Sequence, residues 1–256
     1  MNWKTFFAML HRDGHVARRN LLPMLVQNLL QPLLLVFVFG RILTSSGMMP
    51  NQYKNILLPG IMAISMVLSG VQGVAMPLIT EFQFTREIED RLLAPMATGW
   101  LAVEKIVAGM IQALVAGLVV IPAAWLVLGS GVTISMSQPF EFAAICLLVA
   151  LFSSAGGLAL GVSVGQTQIG LMFSLVLAPM MMFGCAYYPW SFLKFFPALQ
   201  YAVLINPLVY ASEGLRGSLM PQVPHMPLAA SIGALVAIDA ALLVAGIQKF
   251  NKKAVS

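Results

Sequence analysis

Six charged side chains, Glu81, Arg86, Glu87, Glu89, Asp90 and Arg91, fall within eleven consecutive positions of a 256-residue chain that holds 14 basic and 9 acidic residues in all. Carboxylates this close together could divide the work of a general acid and a general base. Arg86 and Arg91 stand among them and compensate their charge, which suits the cluster to paired recognition of another surface rather than to proton transfer. Nothing else in the sequence offers covalent or phosphoryl chemistry. There is no Gly-Lys pair, hence no phosphate-binding loop of the G-x-x-x-x-G-K-[ST] kind. Cys146 and Cys185 stand far apart without metal-ligand neighbours, which predicts neither a disulfide framework nor a metal site. His11, His15 and His225 read as surface residues at membrane edges. The remaining chemical candidate is Asp239, a carboxylate near the middle of an apolar run, with Glu141 at the start of another. An ionisable group inside a membrane is a functional hypothesis by default, and a hydrogen-bonded or protonated Asp facing a neighbouring helix is the alternative. No catalytic residue is expected.

The elements that must carry these residues follow from composition. The chain is 59% hydrophobic and 9% charged, against about 25% charged in soluble domains. The fold class expected is all-α integral membrane, with no cleavable signal and one transmembrane domain over 1–256. Six segments are long and apolar enough to cross a bilayer as helices, given the ~20 residues that a crossing requires. They run over Leu21–Leu43, Ile56–Ile79, Leu101–Leu128, Phe140–Val164, Ile169–Tyr187 and Leu228–Gln248. With the N-terminus inside, ten Lys and Arg fall in inner segments and four in outer ones. This predicts that both termini, and with them the charged cluster, are cytoplasmic. The net charge of +5 is then a membrane-orientation signal and not a nucleic-acid footprint.

Four features lie in or between these spans. Residues 1–20 read as an interfacial helix, with Trp3, Phe6, Phe7 and Leu10 at helical spacing and Gly14 offering a break before Arg18 and Arg19. Residues 80–95 hold the charged cluster, read as a short helix from Thr85 to Leu93, stopped by Pro95, with Ile88 and Leu92 on one face. Residues 188–227 are too apolar for an exposed loop, and read as outer re-entrant helices over about Ser191–Gln200 and Pro207–Leu219. Gly157, Gly161 and Gly165 give the fourth span a face suited to close helix packing.

Two stretches resemble one known family, the membrane subunit of type-2 ABC transporters. The first, Arg86-Glu87-Ile88-Glu89-Asp90-Arg91-Leu92-Leu93-Ala94-Pro95, is similar to that family's coupling segment. The second, Asn206-Pro207-Leu208-Val209-Tyr210 with Arg216 downstream, is similar to its Asn-Pro-Leu motif before the last span. The resemblance covers essentially the whole chain. It implies an exporter subunit in the bacterial cytoplasmic (inner) membrane that pairs with a second copy of itself and with two cytoplasmic ABC ATPase subunits. ATP and Mg would be bound by the ATPase, and no cofactor by this chain. Arg86, Glu87, Glu89, Asp90 and Arg91 would contact the ATPase, with Ile88, Leu92 and Leu93 as anchors. Asn28, Gln31, Ser65, Ser69, Gln72, Phe173, Met180 and Phe183 would be candidates to line the substrate path. The methionines of the fifth span suit a hydrophobic drug-like or lipid-like substrate. A lipid-linked polysaccharide or oligosaccharide is the alternative cargo, and a proton-coupled carrier or channel using Asp239 the alternative class.

Overall fold

The computed structural model describes residues 3–50, 53–83, 98–128, 134–135 and 137–255. They form helices joined by short turns, with no strand among the described residues. Helix α1 (Trp3–Val36) passes into a π-helical stretch, Phe37–Ile42, and a last turn, Leu43–Ser45. It continues through Gly14, where a break was expected. One helical glycine costs only about 1 kcal/mol, and the helix runs unbroken across it, so the interfacial stretch and the first apolar run share one helix.

Among the described residues, four helices are long and apolar enough to cross a membrane: α2 (Tyr53–Gln83), α3 (Thr98–Leu128), α4 (Pro139–Ser163) and α8 (Leu228–Val255). Helix α5 is shorter, Ile169–Met182, and its middle, Met172–Leu177, is π-helical. It stops before the expected end at Tyr187. Beyond it the chain turns, with Cys185 at φ 52°, and the carbonyls of residues 185–187 are captured by side chains from other elements. Next come a 3-10 turn, Trp190–Phe195, the short α6 (Pro197–Ala202), and α7 (Pro207–Leu219). Helix α7 has the predicted bounds. Asn206 caps it by accepting from the Leu208 amide, and Pro207 supplies the first-turn φ without wasting a donor.

Helix α2 is the centre of the bundle. In its most apolar stretch 83% of residues are buried, against 17% in α8, which stands at the edge of the bundle. Lipid gives helices no hydrophobic reason to associate, so close packing of small residues must do it. A Cβ at Gly157 or Gly161 of α4 would press on the α2 backbone at Val71 or Ala75. Two of the three small positions read from sequence therefore seat α4 on α2. Gly165 lies past the end of α4 and makes no such approach.

Both chain ends and the flanks of residues 84–97 gather at one end of the bundle. Phe6 meets Trp100 edge to face, and Phe82 meets Phe250 in the same way. Residues 185–227 lie at the other end.

Candidate functional site

On one side of α2 a cleft of about 490 Å³ opens between α1 and α5. Leu35 comes from α1, Leu68 and Gln72 from α2, and Phe173, Ser174, Leu177, Ala178, Met181 and Met182 from α5, with Tyr187 from the turn beyond. The walls are mostly apolar. Among the described residues, the polar side chains lining the cleft are Gln72, Ser174 and Tyr187, all uncharged. Such a surface holds an apolar molecule by area and orients it by a few hydrogen bonds. The π-helical stretch of α5 forms part of the wall, and that of α1 begins two residues after Leu35. Segments of this kind recur at functional sites in helices.

Two of the path candidates, Gln72 and Phe173, lie in this cleft. Met180 and Phe183 are close to it in sequence. Met180 packs partly against the core while its carbonyl accepts from Asn206 Nδ2 at 2.7 Å, and Phe183 is half exposed. Ser65 and Ser69 share the Gln72 stripe but are fully buried inside the protomer. Asn28 and Gln31 belong to α1, and their side chains lie outside the described residues, as does the whole segment Arg86, Glu87, Ile88, Glu89, Asp90, Arg91, Leu92, Leu93. Asp239 is buried in α8, and neither carboxylate oxygen has a hydrogen-bond partner among the described residues. His11 and His15 are exposed one turn apart on α1.

Two charge clusters that the sequence did not reveal flank the cleft along the bundle. At the end that holds the termini, the Lys105 ammonium of α3 donates to Asp13 Oδ2 of α1 at 2.6 Å and to Glu81 Oε1 of α2 at 2.7 Å. Lys105 is 3% exposed. Glu81 precedes residues 84–97 and Lys105 follows them, so this bond closes the base of the charged segment. At the opposite end Glu213 and Arg216 of α7 pair with both side chains wholly buried. Arg216 also donates to the carbonyls of Cys185 at 2.9 Å and of Ala186 and Ile56 at 3.4 Å. Glu213 accepts from the amides of Trp190 at 2.9 Å and Met226 at 2.8 Å. Burial pulls the Arg216 pKa below its ordinary value, and the Glu213 carboxylate beside it pulls it back up. The signal that could have found this pair is the i, i+3 spacing of opposite charges in an otherwise apolar stretch.

An apolar cleft in a helical bundle is common to many membrane proteins, and sequence comparison gives the family. Residues 4–220 match the model of the family described as ABC-2 type transporter. The chain belongs to the ABC-2 type transporter family. It is also 25% identical over 236 residues to the inner membrane transport permease YadH of Escherichia coli (strain K12), an alignment covering 91% of this chain and 90% of that one. The protein of the same name from Shigella flexneri is similar to the same extent. As an ABC-2 permease the chain is a multi-pass membrane subunit of an ABC transporter that works with an ABC ATPase. The Asn206-Pro207-Leu208 motif lies inside the matched region and has a visible structural task. Its Asn side chain caps α7 and ties that helix to α5 through the Met180 carbonyl.

Proposed function

We propose that this chain is the permease subunit of an ATP-driven exporter that moves hydrophobic drug-like or lipid-like molecules out of the cytoplasm or the inner leaflet. The observation that carries this reading is the cleft, whose walls are mostly apolar and whose polar lining side chains, among the described residues, bear no charge. A lipid-linked polysaccharide would need a larger polar path than these walls offer. The name of its Escherichia coli relative, an inner membrane transport permease, supports the bacterial inner membrane as its location.

In this reading α1, α2, α3, α4 and α8 each cross once, α5 completes a sixth crossing together with the segment that follows it, and both termini are cytoplasmic. The chain works as a homodimer with two ATPase subunits, which bind ATP and Mg and perform the hydrolysis. Arg86, Glu87, Glu89, Asp90 and Arg91 meet the ATPase by charge, with Ile88, Leu92 and Leu93 as anchors. The bonds from Lys105 to Glu81 and Asp13 make α1, α2 and α3 move together when that segment is displaced.

The test is transport in vesicles holding the permease with its ATPase. Transport should need ATP and stop with vanadate. The double reversal Glu89→Lys with Asp90→Lys should leave ATPase activity in the complex but cut transport at least tenfold. Transport that persists without the ATPase and disappears in Asp239→Asn would replace this reading with a proton-coupled carrier.

A further inference from the structure

The turn at one end of the cleft is held by side chains from other elements. Residues 185–187 offer three successive carbonyls, and each is taken by a distant side chain. Arg216 Nη2 takes those of Cys185 and Ala186, and the Tyr53 hydroxyl takes that of Tyr187 at 2.8 Å. The turn also lies directly against α2, since a Cβ at Gly60 would overlap the Ala186 carbonyl. Glu213 fixes the chain again at Trp190. A buried guanidinium that makes several charge-assisted bonds to backbone oxygens, with its own charge matched, is costly to disturb in parts.

What this lock presents to the cleft is Tyr187. Tyr187 lines the cavity, its carbonyl is bound, and its hydroxyl has no hydrogen-bond partner among the described residues. A phenol held in place at the rim of an apolar cavity can donate to an acceptor on a bound molecule. We propose that Tyr187 is a specificity-determining residue of the cleft, selecting uncharged apolar molecules that carry a hydrogen-bond acceptor, and that Glu213 and Arg216 are the positioning residues that aim it. This rests on the exporter reading above, and it names the substrate class more narrowly.

The experiment uses the full permease–ATPase complex in proteoliposomes and two uncharged probes. Nile red carries a carbonyl acceptor, and diphenylhexatriene is a hydrocarbon with no hydrogen-bonding group. Tyr187→Phe should raise KM for Nile red transport about fivefold at unchanged kcat and leave diphenylhexatriene transport as it was. Tyr53→Phe, which loosens only the Tyr187 carbonyl, should move KM for Nile red in the same direction by a smaller factor. Native Cys185 gives a readout independent of transport. In a Cys146→Ala background it should resist a maleimide in the wild type and react in Glu213→Gln, because the turn is then released. Equal changes for both probes, or none for either, would overturn the role of Tyr187. A Cys185 that stays protected in Glu213→Gln would overturn the positioning role. Absence of ATP-dependent transport of either probe by the wild-type complex would instead count against the exporter reading.

Discussion

The two ends of this molecule each bury a charge cluster, and they are built differently. At the terminal end one ammonium, Lys105, joins carboxylates from two other helices, so the links run from side chain to side chain. At the opposite end the charges of Glu213 and Arg216 cancel within a single helix, and their remaining bonds go to the main chain of four other stretches. Side-chain links can exchange partners as helices shift. Main-chain links fix where the backbone lies. The difference teaches which end is suited to moving with a partner and which to holding a cavity wall in place.

The largest effect should come from Arg216→Met. Removing one partner of a fully buried pair leaves the other charge without compensation, a loss of about 4 kcal/mol, and here three carbonyls lose their donor as well. A denaturant titration in detergent should show a lower midpoint, and proteolysis should cut first near residues 185–190. Loss of stability without exposure of that turn would break the comparison, since the cluster would then be no lock.

Lys105→Met should cost less, about 3 kcal/mol. Its two carboxylates keep some access to water, with side-chain exposures of 14% for Asp13 and 9% for Glu81. Its distinctive effect is functional. The ATPase in the complex should still turn over, while transport per ATP should fall several-fold. A variant that loses stability yet keeps its coupling ratio would make the terminal cluster as purely structural as the one at the opposite end.

Much of this contrast was hidden from sequence for physical reasons. Long apolar runs gave α2, α3, α4 and α8, because a bilayer leaves a helix as the only way to satisfy an isolated backbone. The bounds of α7 were legible because Asn206 and Pro207 act on their own neighbours. The end of α5 was not, since it depends on Arg216 and Tyr53, 31 and 134 residues away from the carbonyls they capture. Helical spacing also placed Ser65, Ser69 and Gln72 on one stripe. It could not tell that only Gln72 reaches the cleft, because that is decided by the helices packed against α2. Lys105 was visible as a topogenic charge. Its partner Asp13 was not, because a contact between residues 92 apart leaves no local pattern.

The smallest effects test whether the terminal cluster really can exchange partners. Asp13→Asn alone leaves Lys105 with Glu81, and Glu81→Gln alone leaves it with Asp13. The two carboxylates repel each other, so losing either one strengthens the bond that remains. Each single change should therefore cost only about 1 kcal/mol. Together they leave a buried ammonium with no acidic partner among the described residues, and the double variant should cost well beyond the sum of the singles. That excess is the mark of a shared cation with interchangeable partners. Simple additivity in a thermal or denaturant titration would mean that each carboxylate is held by its own surroundings, and the terminal end would then be as fixed as the opposite one.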